Sequence, residues 1–327
     1  MPQSNDLHQD LVVFDGLVIS NWNRAVFEDM RTGGLTAANC TCSVWENFAE
    51  TMRNIAHWNR HFADHSDILT KARSVADIRA AKLAGRTAIV LGFQNTSAFE
   101  DQLGYIELFK DMGVGIAQMT YNTQNLSGCG CYESIDRGLS DFGHDVVAEM
   151  NRVGMMCDLS HVGGRTARDV IDASKKPVCF SHCLPAALKT HPRNKSDEDL
   201  RYIVDRGGFV GVTMFSAFLP KGTDSTVDDY VAAMDYVIDL VGEDAIGFGT
   251  DFTQGYGKSF FDWLNHDKGH GRKLTDFGRV TNPKGFESIG QYPNLTAAME
   301  KAGWPLGRIR KVMGENWLRI LDEVWDI

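Results

Sequence analysis

No apolar run in this chain approaches the roughly 20 residues needed to cross a bilayer, so no membrane span is expected. No basic cluster offsets the net charge of −10, which argues against a nucleic-acid or anionic-membrane partner. The opening stretch MPQSNDLHQD is polar and slightly acidic and predicts no signal peptide. Seven cysteines, an odd number without a signal, do not read as a disulfide framework and fit a reducing, cytoplasmic setting. Repeats, low-complexity linkers and a visible second domain are also lacking. What remains is 43% hydrophobic and 23% charged, the balance of a globular protein with a sizeable core. A length of 327 residues suits one α/β barrel domain spanning 1–327.

Apolar runs alternate with helical segments along most of that length. Strand-like runs fall at 11–19, 34–44, 87–93, 115–121, around 155–160, up to 182, at 209–215 and at 245–249. Helical patterns lie between most of them, at about 46–64, 75–84, 104–112, 197–205 and 227–241. The runs are continuous rather than alternating, as strands buried on both faces require. Eight such strands with mostly helical crossovers predict a (β/α)8 TIM barrel, with an open doubly wound sheet as the main rival. Ser140 is the expected N-cap of a helix that buries Val146, Val147, Met150 and Val153. An amphipathic helix at about 306–325 should pack on the barrel through Ile309, Val312, Met313, Trp317, Ile320, Leu321 and Val324. The Gly-, His-, Lys- and Asp-rich stretch 254–291 shows little periodicity and reads as a long loop on the active-site side, a lid or a dimer contact.

The stretch 155–182, MMCDLSHVGGRTARDVIDASKKPVCFSH, organises the rest. It reads strand, loop, helix, strand, and each strand ends in Ser-His, at Ser160-His161 and Ser181-His182. A βαβ unit delivers both histidines to the same carboxyl edge of a parallel sheet, where such proteins build their sites. Two neutral imidazoles side by side point to a metal site rather than to polar strand ends. The other strand ends converge there with Gln94-Asn95, Tyr121-Asn122, His191-Pro192-Arg193-Asn194 and Asp251. Two His and one Asp with an open fourth position make a one-metal hydrolytic site. Asp251 serves alternatively as the general base, or merely caps a turn. Arg193 suits a two-pronged grip on a substrate carboxylate, although alone it reads as a surface ion-pair partner. The pairs Cys40/Cys42 and Cys129/Cys131 are spaced too closely for the usual zinc pairing, and the incidental reading is preferred.

These residues resemble the membrane (renal) dipeptidase family of the amidohydrolase superfamily. The matching pieces run nearly the whole chain in order. They are Asp15-Gly16, Met119-Thr120-Tyr121-Asn122, Gly138-Leu139-Ser140-Asp141-Phe142-Gly143, Glu149 through Met155, Asp158-Leu159-Ser160-His161 and Phe180-Ser181-His182. Arg193-Asn194, Gly249-Thr250-Asp251-Phe252 and Asn316-Trp317-Leu318-Arg319 complete the set. The resemblance implies a metallo-dependent, two-zinc dipeptidase fold that is often homodimeric. It implies metal ligation by His161 and His182, proton handling by Asp251, and substrate contacts from Arg193, Tyr121 and Asn122.

The departures bear on the metals. Where the family has Asp-Gly-His-x-Asp, this chain has Asp15-Gly16-Leu17-Val18-Ile19. Gln94 stands at the bridging glutamate and Thr253 at the acid after Asp-Phe. A second cation would therefore lack its protein ligands. Three readings follow, in order. The first is a hydrolase with one zinc that cleaves a dipeptide or small N-acyl amino acid. The second is a metal-free enzyme using Tyr121, His161, His182 and Asp251 as acid and base groups. The third is a non-catalytic protein that binds a small carboxylate. In each, Gln94 joins Arg193, Tyr121 and Asn122 around the bound molecule.

Overall fold

The computed structural model describes residues 4–326, with side chains from residue 7. The continuous apolar runs become strands buried on both faces. Those in the described residues are β1 (Phe14–Val18), β2 (Ala37–Ser43), β3 (Leu69–Lys71), β4 (Thr87–Phe93), β5 (Val114–Gln118), β6 (Met156–Asp158), β7 (Cys179–Cys183), β8 (Phe209–Val212) and β9 (Ile246–Phe248). They pair in parallel, in the order β1-β2-β4-β5-β6-β7-β8-β9. Just past β9, the Asp251 N–H donates to the Leu17 carbonyl and the Ile19 N–H to the Phe252 carbonyl, both at 2.9 Å. The last strand thereby returns to the first, and the path closes as the expected (β/α)8 barrel.

Strand β3 lies off this path on one edge of β4. Its sequence, Leu69-Thr70-Lys71, has a single apolar residue and leaves no run. Helices Ser4–Asp10, Arg24–Thr32 and Tyr292–Lys301 were likewise not anticipated. The stretch read as loop, 254–291, also contains a helix, Lys258–Leu264. Its apolar residues are too few for a periodic stripe. The helix Asp141–Val153 follows its expected chemistry. Ser140 Oγ accepts the Gly143 N–H at 2.9 Å, and the four predicted residues are buried.

The amino end of the barrel is closed by the carboxyl-terminal helical region. Trp317 sits among Phe14, Ala37, Val90, Ile116 and Phe209 and donates its indole N–H to the Phe248 carbonyl at 2.9 Å. A Cβ on Gly16 would lie 2.4 Å from the Trp317 ring, so only glycine lets β1 pass. The predicted continuous helix is instead Leu306–Arg310, a π turn at Lys311–Glu315, and Asn316–Trp325. The interruption lets Gly314 approach the Val12 carbonyl, which a Cβ there would meet at 2.5 Å. The predicted stripe is nonetheless buried throughout. With this end plugged, a site must form at the carboxyl end. No helix among the described residues is long and apolar enough to cross a membrane.

Candidate functional site

Strands β6 and β7 bring the two histidines together. His161 Nε2 and His182 Nε2 lie 3.0 Å apart. Their tautomers follow from the partners behind them. Asn122 Oδ1, an acceptor, is 2.6 Å from His161 Nδ1, so His161 carries its proton on Nδ1. Asp158 Oδ1 takes the Ser160 and Ser181 N–H groups and the Ser160 hydroxyl, while Oδ2 takes the Ser181 hydroxyl at 2.6 Å. With its proton spent on Asp158, Ser181 Oγ accepts from His182 Nδ1 at 2.7 Å. Both Nε2 lone pairs therefore face each other. At 3.0 Å the two nitrogens are close enough for one N–H···N hydrogen bond or for a common ligand.

Six predicted residues, Gln94, Tyr121, Asn122, His161, Arg193 and Asp251, line one small cavity with Ile19 and Thr253, while His182 stands behind His161. The cavity is about 20 Å³, room for one water. Tyr121 stacks on His161 with ring centroids 4.1 Å apart. Asn122 and Asp251 both adopt left-handed backbone, at φ 65° and 61°. That conformation costs about 1–3 kcal/mol for a non-glycine residue and is least unfavourable for Asn and Asp. It re-aims two side chains at the turns that leave β5 and β9. Gln94 donates its amide to Thr41 Oγ1 at 2.8 Å. Asn95, by contrast, is tied into local turns with Thr96 and Asn125 and does not reach the cavity.

The charge pattern is unusual for a metal site. Arg193 is buried, donates to the Ser160 and His182 carbonyls and keeps Nε unpartnered. Its guanidinium also lies over Phe218, 5.4 Å from the ring centroid. No carboxylate among the described residues forms an ion pair with it. Lys195, which sequence reasoning passed over, is also buried and donates to the Val162 carbonyl at 2.7 Å. Burial, followed by these two cations, holds both histidines well below the usual imidazole range. Burial raises the Asp251 carboxyl to about 6, against the opposing pull of Arg193. Asp15, another residue without an assigned role, is raised to about 6 by burial despite hydrogen bonds from Thr250, Tyr292 and Leu17. It locks β1 to the turn that carries Asp251.

Whether the residues fit the family's metals can be judged from these donors. Leu17 and Ile19 are buried apolar residues that offer no metal donor, and the neutral Gln94 amide is turned toward Thr41. The two Nε2 atoms, 3.0 Å apart, are somewhat closer than the about 3.3 Å between two nitrogens on a tetrahedral zinc. A third protein donor is lacking: among the described residues, no group of three His, Cys, Asp or Glu is placed to hold a metal. All seven cysteines are free, and none adds to the pair.

A family model described as membrane dipeptidase (peptidase family M19) matches residues 20–267 and 274–327. The chain belongs to this family. The M19 chain is 62% identical to a crystallised amidohydrolase from Pseudomonas aeruginosa, with a TM-score of 0.98 over 99% of this chain and 100% of that one. A metallopeptidase from Rhodobacter sphaeroides, crystallised with a phosphinate mimic of the dipeptide L-Ala-D-Ala, shares the fold. Its TM-score is 0.82 at 21% identity, over 97% of this chain and 100% of that one. An uncharacterised dipeptidase of Schizosaccharomyces pombe is 32% identical over 250 residues, 74% of this chain and 54% of the relative. The M19 chain thus spans about half the length of that curated relative.

Proposed function

We propose that this chain hydrolyses an amide bond in a dipeptide or a related small N-acyl amino acid whose carboxylate binds Arg193. The observation that carries the reading is the meeting of Arg193, Asp251 and the paired histidines at one cavity. A buried guanidinium without an acidic partner is matched by an anionic group, and a carboxylate fits its fork. Asp251, with a pKa of about 6, is ionised at neutral pH and basic enough to take a proton from water. The same group can then return that proton to the leaving amine. Tyr121, Asn122 and Gln94 line the remaining wall and orient the scissile amide.

His161 and His182 are the residues that would hold a single zinc. Bound there, zinc supplies Lewis-acid polarisation and a more acidic water. A second reading, a metal-free site, is favoured by the lack of a third protein donor and by two buried cations nearby. In that case both imidazoles stay neutral, and one donates an N–H···N hydrogen bond to the other.

The deciding experiment is metal analysis of protein purified without added zinc, combined with assays on dipeptides and N-acyl amino acids. About one equivalent of zinc, with chelator-sensitive hydrolysis, supports the one-zinc reading. Hydrolysis by metal-free protein supports the second. Tight carboxylate binding with no turnover on the panel sinks the hydrolase proposal altogether.

A further inference from the structure

The cavity at Arg193 and Asp251 has room for about one water, so most of a substrate bound to Arg193 must extend beyond it. Ile19, which lines it, also lines a neighbouring cavity of about 340 Å³. The larger cavity is walled by Trp22 and Trp58 on one side and by Tyr256, Phe260 and Trp263 on the other. Aromatic rings connect it to the histidines without a break. Tyr256 stacks on Phe260 at 3.7 Å, and Phe260 meets Trp263 at 5.8 Å. Trp263 then meets Trp45 at 4.6 Å, Trp45 meets Tyr121 at 5.0 Å, and Tyr121 lies on His161.

The charge in this cavity is opposite in sign to that at Arg193. Its lining has one carboxylate, Glu46, and no lysine or arginine. Glu46 forms no ion pair among the described residues. Its Oε2 already takes the Val44 and Trp45 N–H groups at 2.7 and 3.1 Å, and Oε1 takes the Asn54 amide at 3.3 Å. Oε2 is therefore fully occupied, while Oε1 keeps one free lone pair beside its negative charge. His61, also in the lining, is pushed down by burial and by His65 and His57, so it stays neutral at pH 7.

Rings that attract a cation through their faces, plus a carboxylate with one of its two oxygens fully occupied, suit a cation that donates few or no hydrogen bonds. A primary ammonium, with three N–H donors to satisfy, is served less well. We infer that this aromatic cavity holds an N-alkylated ammonium group of the substrate, with Glu46 as its counter-charge. Taken with the reading of Arg193 as the carboxylate holder, on which this part rests, the substrate is a small zwitterionic amide.

The test is calorimetric titration of the purified full chain, at constant ionic strength, with tetramethylammonium, methylammonium and neutral tert-butanol. These probes carry no carboxylate and undergo no turnover, so the result does not depend on Arg193 or on hydrolysis. Tetramethylammonium should bind at least about tenfold more tightly than either alternative. Glu46→Gln, which keeps an acceptor for the Val44 and Trp45 N–H groups, should weaken it about tenfold, as should Tyr256→Leu. Tetramethylammonium binding no tighter than tert-butanol, or unaffected by Glu46→Gln, overturns the inference. Preference for methylammonium overturns the alkylated class.

Discussion

His161 Nε2 and His182 Nε2 face each other at 3.0 Å with both lone pairs turned inward. The cause is the network behind them, in which Asn122 fixes one tautomer and the Asp158–Ser181 pair fixes the other. If zinc fills the gap, protein expressed with zinc should contain about one equivalent, and His161→Ala or His182→Ala should contain none. Ser181→Ala leaves both ligands in place but frees the His182 tautomer. It should weaken zinc about 10–100-fold, the usual effect of removing an outer partner. Competition with a fluorescent chelator measures this, and unchanged affinity would mean that Ser181 does not set the tautomer.

Direct ligands for a second metal can be installed. Leu17→His, Ile19→Asp and Gln94→Glu together should raise the metal content from about one equivalent to two. The triple variant should also melt lower than the parent in chelator, because two ionisable groups replace buried aliphatics. A folded triple variant with no additional metal would show that these positions are not the counterparts of the family's ligands.

Arg193 should discriminate by charge. Arg193→Lys keeps the cation but loses the fork, and kcat/KM for a carboxylate substrate should fall about 100-fold, corresponding to about 3 kcal/mol. The matching carboxamide substrate, poor to begin with, should lose little further. Equal losses on both substrates would assign Arg193 to holding the Ser160 and His182 carbonyls alone.

Asp251 carries a pH signature in both activity and stability. With the carboxyl raised to about 6, kcat/KM should rise with pH through about 6, and Asp251→Asn should abolish that limb along with most activity. For stability the sign is reversed. Below 3.8, its ordinary value, the carboxyl is protonated in both folded and unfolded chains. Between 3.8 and 6 the folded chain alone keeps the proton, so this group's contribution falls as pH rises. Asp251→Asn removes that dependence. Its stability relative to the parent should therefore grow from pH 4 to pH 6 by about 2–3 kcal/mol, read by urea unfolding at each pH. A flat difference would mean that Asp251 titrates as an ordinary surface carboxylate.

At the opposite end of the barrel, Trp317→Ala should cost about 3–5 kcal/mol, as large aromatic truncations in packed cores do. Zinc content per folded molecule should not change, since the plug and the histidine pair lie at opposite ends.

Much of this was written locally in the chain. Unbroken apolar runs are what strands buried on both faces require, so eight barrel strands were legible. Because a βαβ unit has fixed direction, the two Ser-His strand ends alone placed His161 and His182 side by side. Leu17, Ile19 and Gln94 stand, through the resemblance, where ligands of one metal are expected. Strand β3, with one apolar residue, and the short helix Lys258–Leu264 were not legible, since the first carries no apolar run and the second no repeating stripe. Which way each imidazole is protonated depends on Asn122 and Asp158, residues brought in from other strand ends. The carboxyl pKa of Asp251 and the buried positions of Arg193 and Lys195 depend on how much water the closed barrel excludes. So does the aromatic cavity around Glu46, assembled from residues 22, 46, 58 and 256–263. Sequence fixes what each strand carries to the rim, but desolvation and the distances between groups from different strands exist only once the barrel has closed.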